Sequence, residues 1–113
     1  MTTASGLCSI RSPLDHDPDS GRIALRHATP VFDALASQTA REILTVFAEE
    51  PRSISDVAET VGTSTQNAMY HVDNLHDADL LTIIDTWYSK KGREMDIYAA
   101  RYGSFVLIME PSR

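Results

Sequence analysis

With 113 residues, 42% of them hydrophobic, the chain has room for one modest core and little beyond a single domain. Ten Lys and Arg against sixteen Asp and Glu leave a formal charge of −6, which excludes a broadly basic coat for nucleic acid and a surface drawn to anionic membranes, while leaving open a locally cationic face. A single cysteine, Cys8, excludes an intrachain disulfide and a cysteine metal cluster and fits a reducing cytoplasm.

Residues 1–28 read as a flexible or loosely docked N-terminal arm. "SPLDHDPDSG" is rich in turn formers and offers little to bury. The start has no basic stretch followed by an apolar run, so no signal peptide is expected, and the longest fully apolar run, Phe105 to Met109, is far too short to span a bilayer. "RIALRHA" (22–28) alternates Ile23 with Leu25 and suits either a short strand or a helical turn. Residues 29–113 read as the folded domain. Thr29 is a candidate helix cap, with Pro30 at the first helical position and Val31, Phe32 and Leu35 as an apolar stripe. Ser37 is a second cap, opening "QTAREILTVFAEE", in which Ala40, Ile43, Leu44, Phe47 and Ala48 recur at helical spacing until Pro51 stops the run.

Ser53 or Ser55 caps the next short helix, which buries Ile54, Val57, Ala58 and Val61 and ends at Gly62. Thr63 or Ser64 caps a longer one, with Ala68, Val72 and Leu75 facing inward. Two helices joined by "VGTS" have the shape of a helix-turn-helix. The pattern then changes period. "TIIDTWYS" is β-branched and aromatic, "KKGR" is a polar turn, and "EMDIYAA" returns as a second strand. A β-hairpin directly after a helix-turn-helix is a wing. Trp87 and Tyr88 are expected in the packed part of that wing. "FVLIM" closes the chain as a buried strand or helical turn. The expected fold is therefore α+β: a winged helix-turn-helix, a helical core with a two- to three-stranded antiparallel wing.

The helix that opens at "TSTQNAMYH" presents uncharged hydrogen-bonding groups in a chain otherwise thick with carboxylates. In a helix-turn-helix the second helix enters the major groove with its N-terminal residues at the base edges. Free N–H groups at its start favour a phosphate beside Thr63, Ser64 and Thr65. Gln66 and Asn67 can each pair two-pronged with adenine, and Tyr70 and His71, one turn on, can reach phosphate or base. An ordinary solvated helix face is the plain alternative for these residues. Lys90, Lys91 and Arg93 gather positive charge in four residues at the hairpin tip, as a wing does when it meets phosphates or the minor groove; a solvated turn blunting an edge strand is the plain alternative there. Double-stranded DNA is thus the expected partner.

No catalytic, cofactor or metal site is expected. His71 and His76 are five apart, off the i, i+4 spacing of a zinc pair, and His16 and His27 are scattered. No Ser–His–Asp or Cys–His arrangement, P-loop or dinucleotide-binding fingerprint occurs, so the chain is not expected to be an enzyme. Its acid excess suits life in strong salt, where carboxylate repulsion is screened within a few Å, and it also suits a docking module that contacts the transcription machinery.

Together these residues resemble the ArsR-type winged-helix repressors. "FDALASQTAREIL" is similar to their first helix pair, "ISDVAETVGTSTQNAMYHVDNLHDADLL" to their helix-turn-helix, and "DTWYSKKGREMDIYA" to the wing of a haloarchaeal branch. The resemblance covers roughly residues 29–100. It implies a DNA-binding transcriptional regulator, usually a homodimer, in the cytoplasm of a halophilic archaeon, with contacts at Ser64, Thr65, Gln66, Asn67, Tyr70 and His71. Metal-sensing members place cysteines at the start of the helix before the turn; here that segment is "PRSISDVAE", so metal sensing is not carried over. Met69 stands where the family often has Ser, and Asp79 replaces the common Gly of "AGL". Val31, Phe32 and Leu35, with Phe105 to Met109, are the expected dimer surface, since short apolar elements rarely stay exposed.

Overall fold

Phe47 and Ile43 sit at the centre of the molecule, on a helix whose apolar residues return every three or four positions. The computed structural model describes residues 20–88 and 92–109. In chain order the elements are β1 (Ser20–Ala24), a 3-10 turn at Leu25–His27, α1 (Thr29–Leu35), α2 (Gln38–Glu49), β2 (Arg52–Ser53), α3 (Ile54–Val61), α4 (Thr65–Asp77), β3 (Leu81–Tyr88), β4 (Glu94–Ala100) and β5 (Ser104–Ile108). "RIALRHA" thus becomes a strand and a helical turn in succession. Residues 1–19, with Cys8 and His16, and the wing-tip lysines Lys90 and Lys91 lie outside the described residues.

Side-chain hydroxyls set three of the four helix starts. Ser37 Oγ accepts from the Ala40 N–H at 3.3 Å, Ser53 Oγ from Asp56 at 3.2 Å and Ser64 Oγ from Asn67 at 3.0 Å, each satisfying a donor that the helix itself leaves open. Of the alternative caps, Ser53 and Ser64 are the ones used. Thr29 is different: it is already the first residue of α1, and Ala28 holds the cap position without a side-chain bond. The far end of α1 is held instead by Arg41, whose Nη1 donates to the carbonyls of Leu35 at 2.7 Å and Ala36 at 3.2 Å. A cation on those open carbonyls also suits the helix dipole.

The core joins all four helices to the wing. Val31 and Ala34 come from α1, Ile43 and Phe47 from α2, Val57 and Ala58 from α3, and Ala68, Val72 and Leu75 from α4; Leu80, Leu81 and Tyr98 close it. Phe47 and Tyr98 meet with ring centroids 6.1 Å apart and tilted by 56°. Truncating Phe47, 1% exposed, to Ala removes about 3–5 kcal/mol. Ala48, on the same helix, is exposed, and Leu44 is half-buried. Val31 lies inside this core at 5% exposure and is not free for a partner; its neighbour Phe32 is 48% exposed.

The wing is an antiparallel sheet in the order β2-β4-β3. Its register runs from Leu81 opposite Ala100 to Tyr88 opposite Glu94, with a bulge at Ile84 between Ile83 and Asp85. Trp87 and Tyr88 are not wing core, as their sequence suggested. They are 56% and 70% exposed, because β3 is an edge strand and the bulge shifts its facing halfway along. Trp87 Nε1 donates to the Asp85 carboxylate at 2.7 Å, so its polar atom is satisfied at the surface.

β5 is a strand, paired in parallel with β1 from Ser20–Ser104 to Ala24–Ile108. The whole helical core lies between them in sequence, the kind of long connection a parallel pair requires. Phe105 to Ile108 are half-buried and Met109 is 78% exposed, so the expected buried ending is only partly covered. Gly21 is needed there: a Cβ at this position would lie 2.8 Å from the Tyr102 ring.

Candidate nucleic-acid interface

The turn between α3 and α4 aims the second helix. Gly62 takes a left-handed conformation (φ 85°, ψ 36°), which costs a glycine nothing. The N–H groups of Gly62 and Thr63 both close on the Ala58 carbonyl at 2.9 Å, the αL ending that stops a helix within one residue. Ser64 then caps α4, and the buried Ala68, Val72 and Leu75 press its inner face onto the core.

The opposite face is free. Ser64, Thr65, Gln66, Asn67 and Tyr70 are exposed, whereas His71 is half-buried with its ring edge-on to Tyr70 at 5.2 Å. Helical spacing places Gln66, Tyr70, Asp73 and Asp77 along one outward stripe. Its front half is uncharged and its rear half acidic.

The helix front and the wing share one open groove of about 440 Å³, to which α4 contributes Thr65, Met69 and Asp73 and the wing contributes Arg93, Met95 and Asp96. Arg93 is exposed at the tip end of β4, next to Gly92, which takes a φ of 79°. The expected site residues Thr65 and Arg93 therefore stand on the same side of the molecule. Lys90 and Lys91 fall outside the described residues. The groove floor is locally negative. Burial, then the charges of Asp96 and Asp73, push the Tyr98 phenol above its ordinary 10.0.

Two residues here escaped the sequence reading. Met69 was counted only as a lost polar contact, yet it is 47% exposed and lines the groove. Thr63, expected as a cap or beside a phosphate, has a role that neither expectation covers: its Oγ1 accepts from Asn67 Nδ2 at 2.8 Å. The i, i+4 spacing of Thr63 and Asn67 was the available signal.

The family described as "Helix-turn-helix domain" matches residues 35–84. No curated protein matches the sequence. Among solved structures, the chain is similar to the solution structure of the homodimeric winged helix-turn-helix DNA-binding domain (fragment 1–100) of a possible ArsR-family transcriptional regulator from Mycobacterium bovis. That match has a TM-score of 0.54 and 19% identity over 68% of this chain, and the chain spans 66% of that structure's length. The crystal structure of the same fragment gives a TM-score of 0.55 at 19% identity, covering 68% of this chain and 76% of that one. NolR from Sinorhizobium fredii gives 0.53 at 20% identity, covering 65% and 67%. Among the described residues no helix is long and apolar enough to cross a membrane. The chain has the winged helix-turn-helix fold, and its residues 35–84 match the helix-turn-helix domain family.

Proposed function

We propose that this protein is a sequence-specific regulator of transcription that binds double-stranded DNA as a homodimer, with α4 in the major groove and the basic wing tip on the backbone or in the minor groove. One observation carries the reading. Thr65, within the exposed and uncharged hydrogen-bonding front of α4, opens onto the same groove as Arg93 of the wing. Ser64, Thr65, Gln66, Asn67, Tyr70 and His71 take the helix contacts, and Lys90, Lys91 and Arg93 the phosphate contacts. Two-fold symmetry places the half-sites about 34 Å apart, one helical turn. Phe32 of α1 and Met109, just beyond β5, are 48% and 78% exposed and support a dimer surface built from those two places. The resemblance of "DTWYSKKGREMDIYA" and the charge of −6 support a cytoplasmic, haloarchaeal setting. The test is fluorescence anisotropy of the purified chain on genomic duplex fragments and on random duplex in concentrated KCl, with sedimentation of the free protein. Tight binding to a few fragments by a dimer is expected; equal binding to all duplexes, or none, overturns it.

A second reading has its own observation. Ile83, Ile84, Trp87 and Tyr88 are all exposed on β3, an apolar strand that suits a docking module for the transcription machinery. Capture of polymerase or a general factor with no duplex binding favours that reading.

A further inference from the structure

We infer that Thr63 is a positioning residue for base reading by Asn67, an assignment that rests on the DNA-binding reading above. Thr63 is half-buried in the turn, and its own N–H is anchored to the Ala58 carbonyl of α3 at 2.9 Å. Its Oγ1 accepts from Asn67 Nδ2 at 2.8 Å, while the Asn67 backbone N–H donates to Ser64 Oγ at 3.0 Å. Two consecutive hydroxyls therefore hold one asparagine, one by its main chain and the other by its amide.

An asparagine amide has two N–H donors and one carbonyl acceptor. Committing one N–H to Thr63 leaves Oδ1 and the other N–H, the acceptor and donor that the N6 amino group and N7 of adenine require. An untethered amide rotates between orientations and loses that freedom on binding. Thr63 removes the choice before DNA arrives and ties the amide to the preceding helix. Discrimination at one base position thus depends on a residue that makes no base contact of its own.

The test compares the full chain with Thr63→Val, Thr63→Ser, Asn67→Ala and the double variant Thr63→Val with Asn67→Ala. Each is used to enrich a random duplex library, and the Asn67 side-chain amide is followed by NMR in the free proteins. Asn67→Ala identifies the base position by flattening it. Thr63→Val is expected to lower the preference at that same position by about fivefold, the lower end of what a two-pronged amide–adenine pair is worth. Preferences at the other positions stay unchanged. Thr63→Ser keeps the preference, the double variant is no worse than Asn67→Ala alone, and Thr63→Val speeds exchange of the Asn67 amide protons. A purely structural role for Thr63 would instead depress every position alike, and that result overturns the assignment. If the wild-type chain enriches a motif and Thr63→Val enriches the same one undiminished, the positioning role fails and the DNA reading stands. If the wild-type chain enriches nothing, both fail.

Discussion

Asp79 carries a φ of 64°, the only left-handed non-glycine among the described residues. It occupies the position after the Ala78 cap of α4, where its N–H reaches the His76 carbonyl at 3.0 Å and the Leu80 N–H reaches the Leu75 carbonyl at 2.9 Å. That pair of bonds, with Leu80 and Leu75 both buried, is the Schellman ending. A β-carbon there costs energy that glycine does not, and aspartate tolerates the region better than most residues. Asp79→Gly is therefore expected to raise stability by about 0.5–1 kcal/mol, after the extra entropy of the unfolded glycine. A domain of this size then gains about 2–6 °C in melting temperature. Thermal unfolding followed by circular dichroism checks this, and a lower midpoint would show that Asp79 makes a favourable contact outweighing its backbone strain. Ser64→Ala acts in the opposite direction at the other end of α4. Losing the cap costs about 1 kcal/mol, read as a lower urea midpoint.

At the scale of elements, Tyr98 ties the hairpin to both α2 and α4. Tyr98 of β4, 7% exposed, packs on Phe47 of α2 and meets His76 of α4 edge-on at 6.0 Å. Its phenol is pushed up by burial and by Asp96 and Asp73. A folded-state value above the unfolded 10.0 means that its contribution is whole below pH 10 and lost as pH rises through the folded value. Tyr98→Phe keeps the ring and removes the titration. Urea unfolding at about pH 8 and pH 11 should show the wild type losing more stability between the two than the variant; equal losses would mean the phenol titrates alike folded and unfolded. The hairpin also shows what periodicity leaves open. β3 carries large apolar residues on both alternating sets, Ile83 and Trp87 on one, Ile84 and Tyr88 on the other. Alternation cannot tell which set is covered, and the edge position and bulge leave all four exposed.

For the whole molecule, the proposed function sets a body of charge −6 against a small face that would meet a polyanion. At about 1 M salt the screening length falls to about 3 Å, so the distant carboxylates stop mattering while contacts persist. Gln66→Ala or Asn67→Ala should cost about 1–3 kcal/mol on a preferred duplex and little on a random one. Lys91→Ala should weaken both alike and reduce the slope of log affinity against log salt by about one. Titrations on both duplexes at several KCl concentrations measure this. Equal losses on both duplexes for all three variants would overturn the division into base-reading and phosphate-binding residues.

The four helices, the β3–β4 hairpin and their order were legible from residue spacing alone, because caps, a helix-ending glycine and three- or four-residue apolar periodicity are local signals; the two terminal strands were not, since a short apolar run suits strand or helical turn alike. Ser37, Gly62 and the Ala68, Val72, Leu75 face needed nothing from the rest of the chain. So was the polar front of α4, since a run of amides and hydroxyls is visible wherever it sits. Tertiary structure alone decided what depends on distant neighbours. It pairs β1 with β5 across more than seventy residues of intervening chain, buries Val31 while exposing Phe32 and Trp87, and brings Arg93 to the groove of Thr65. Burial and juxtaposition are properties of which surfaces meet, and no short window of sequence contains both surfaces.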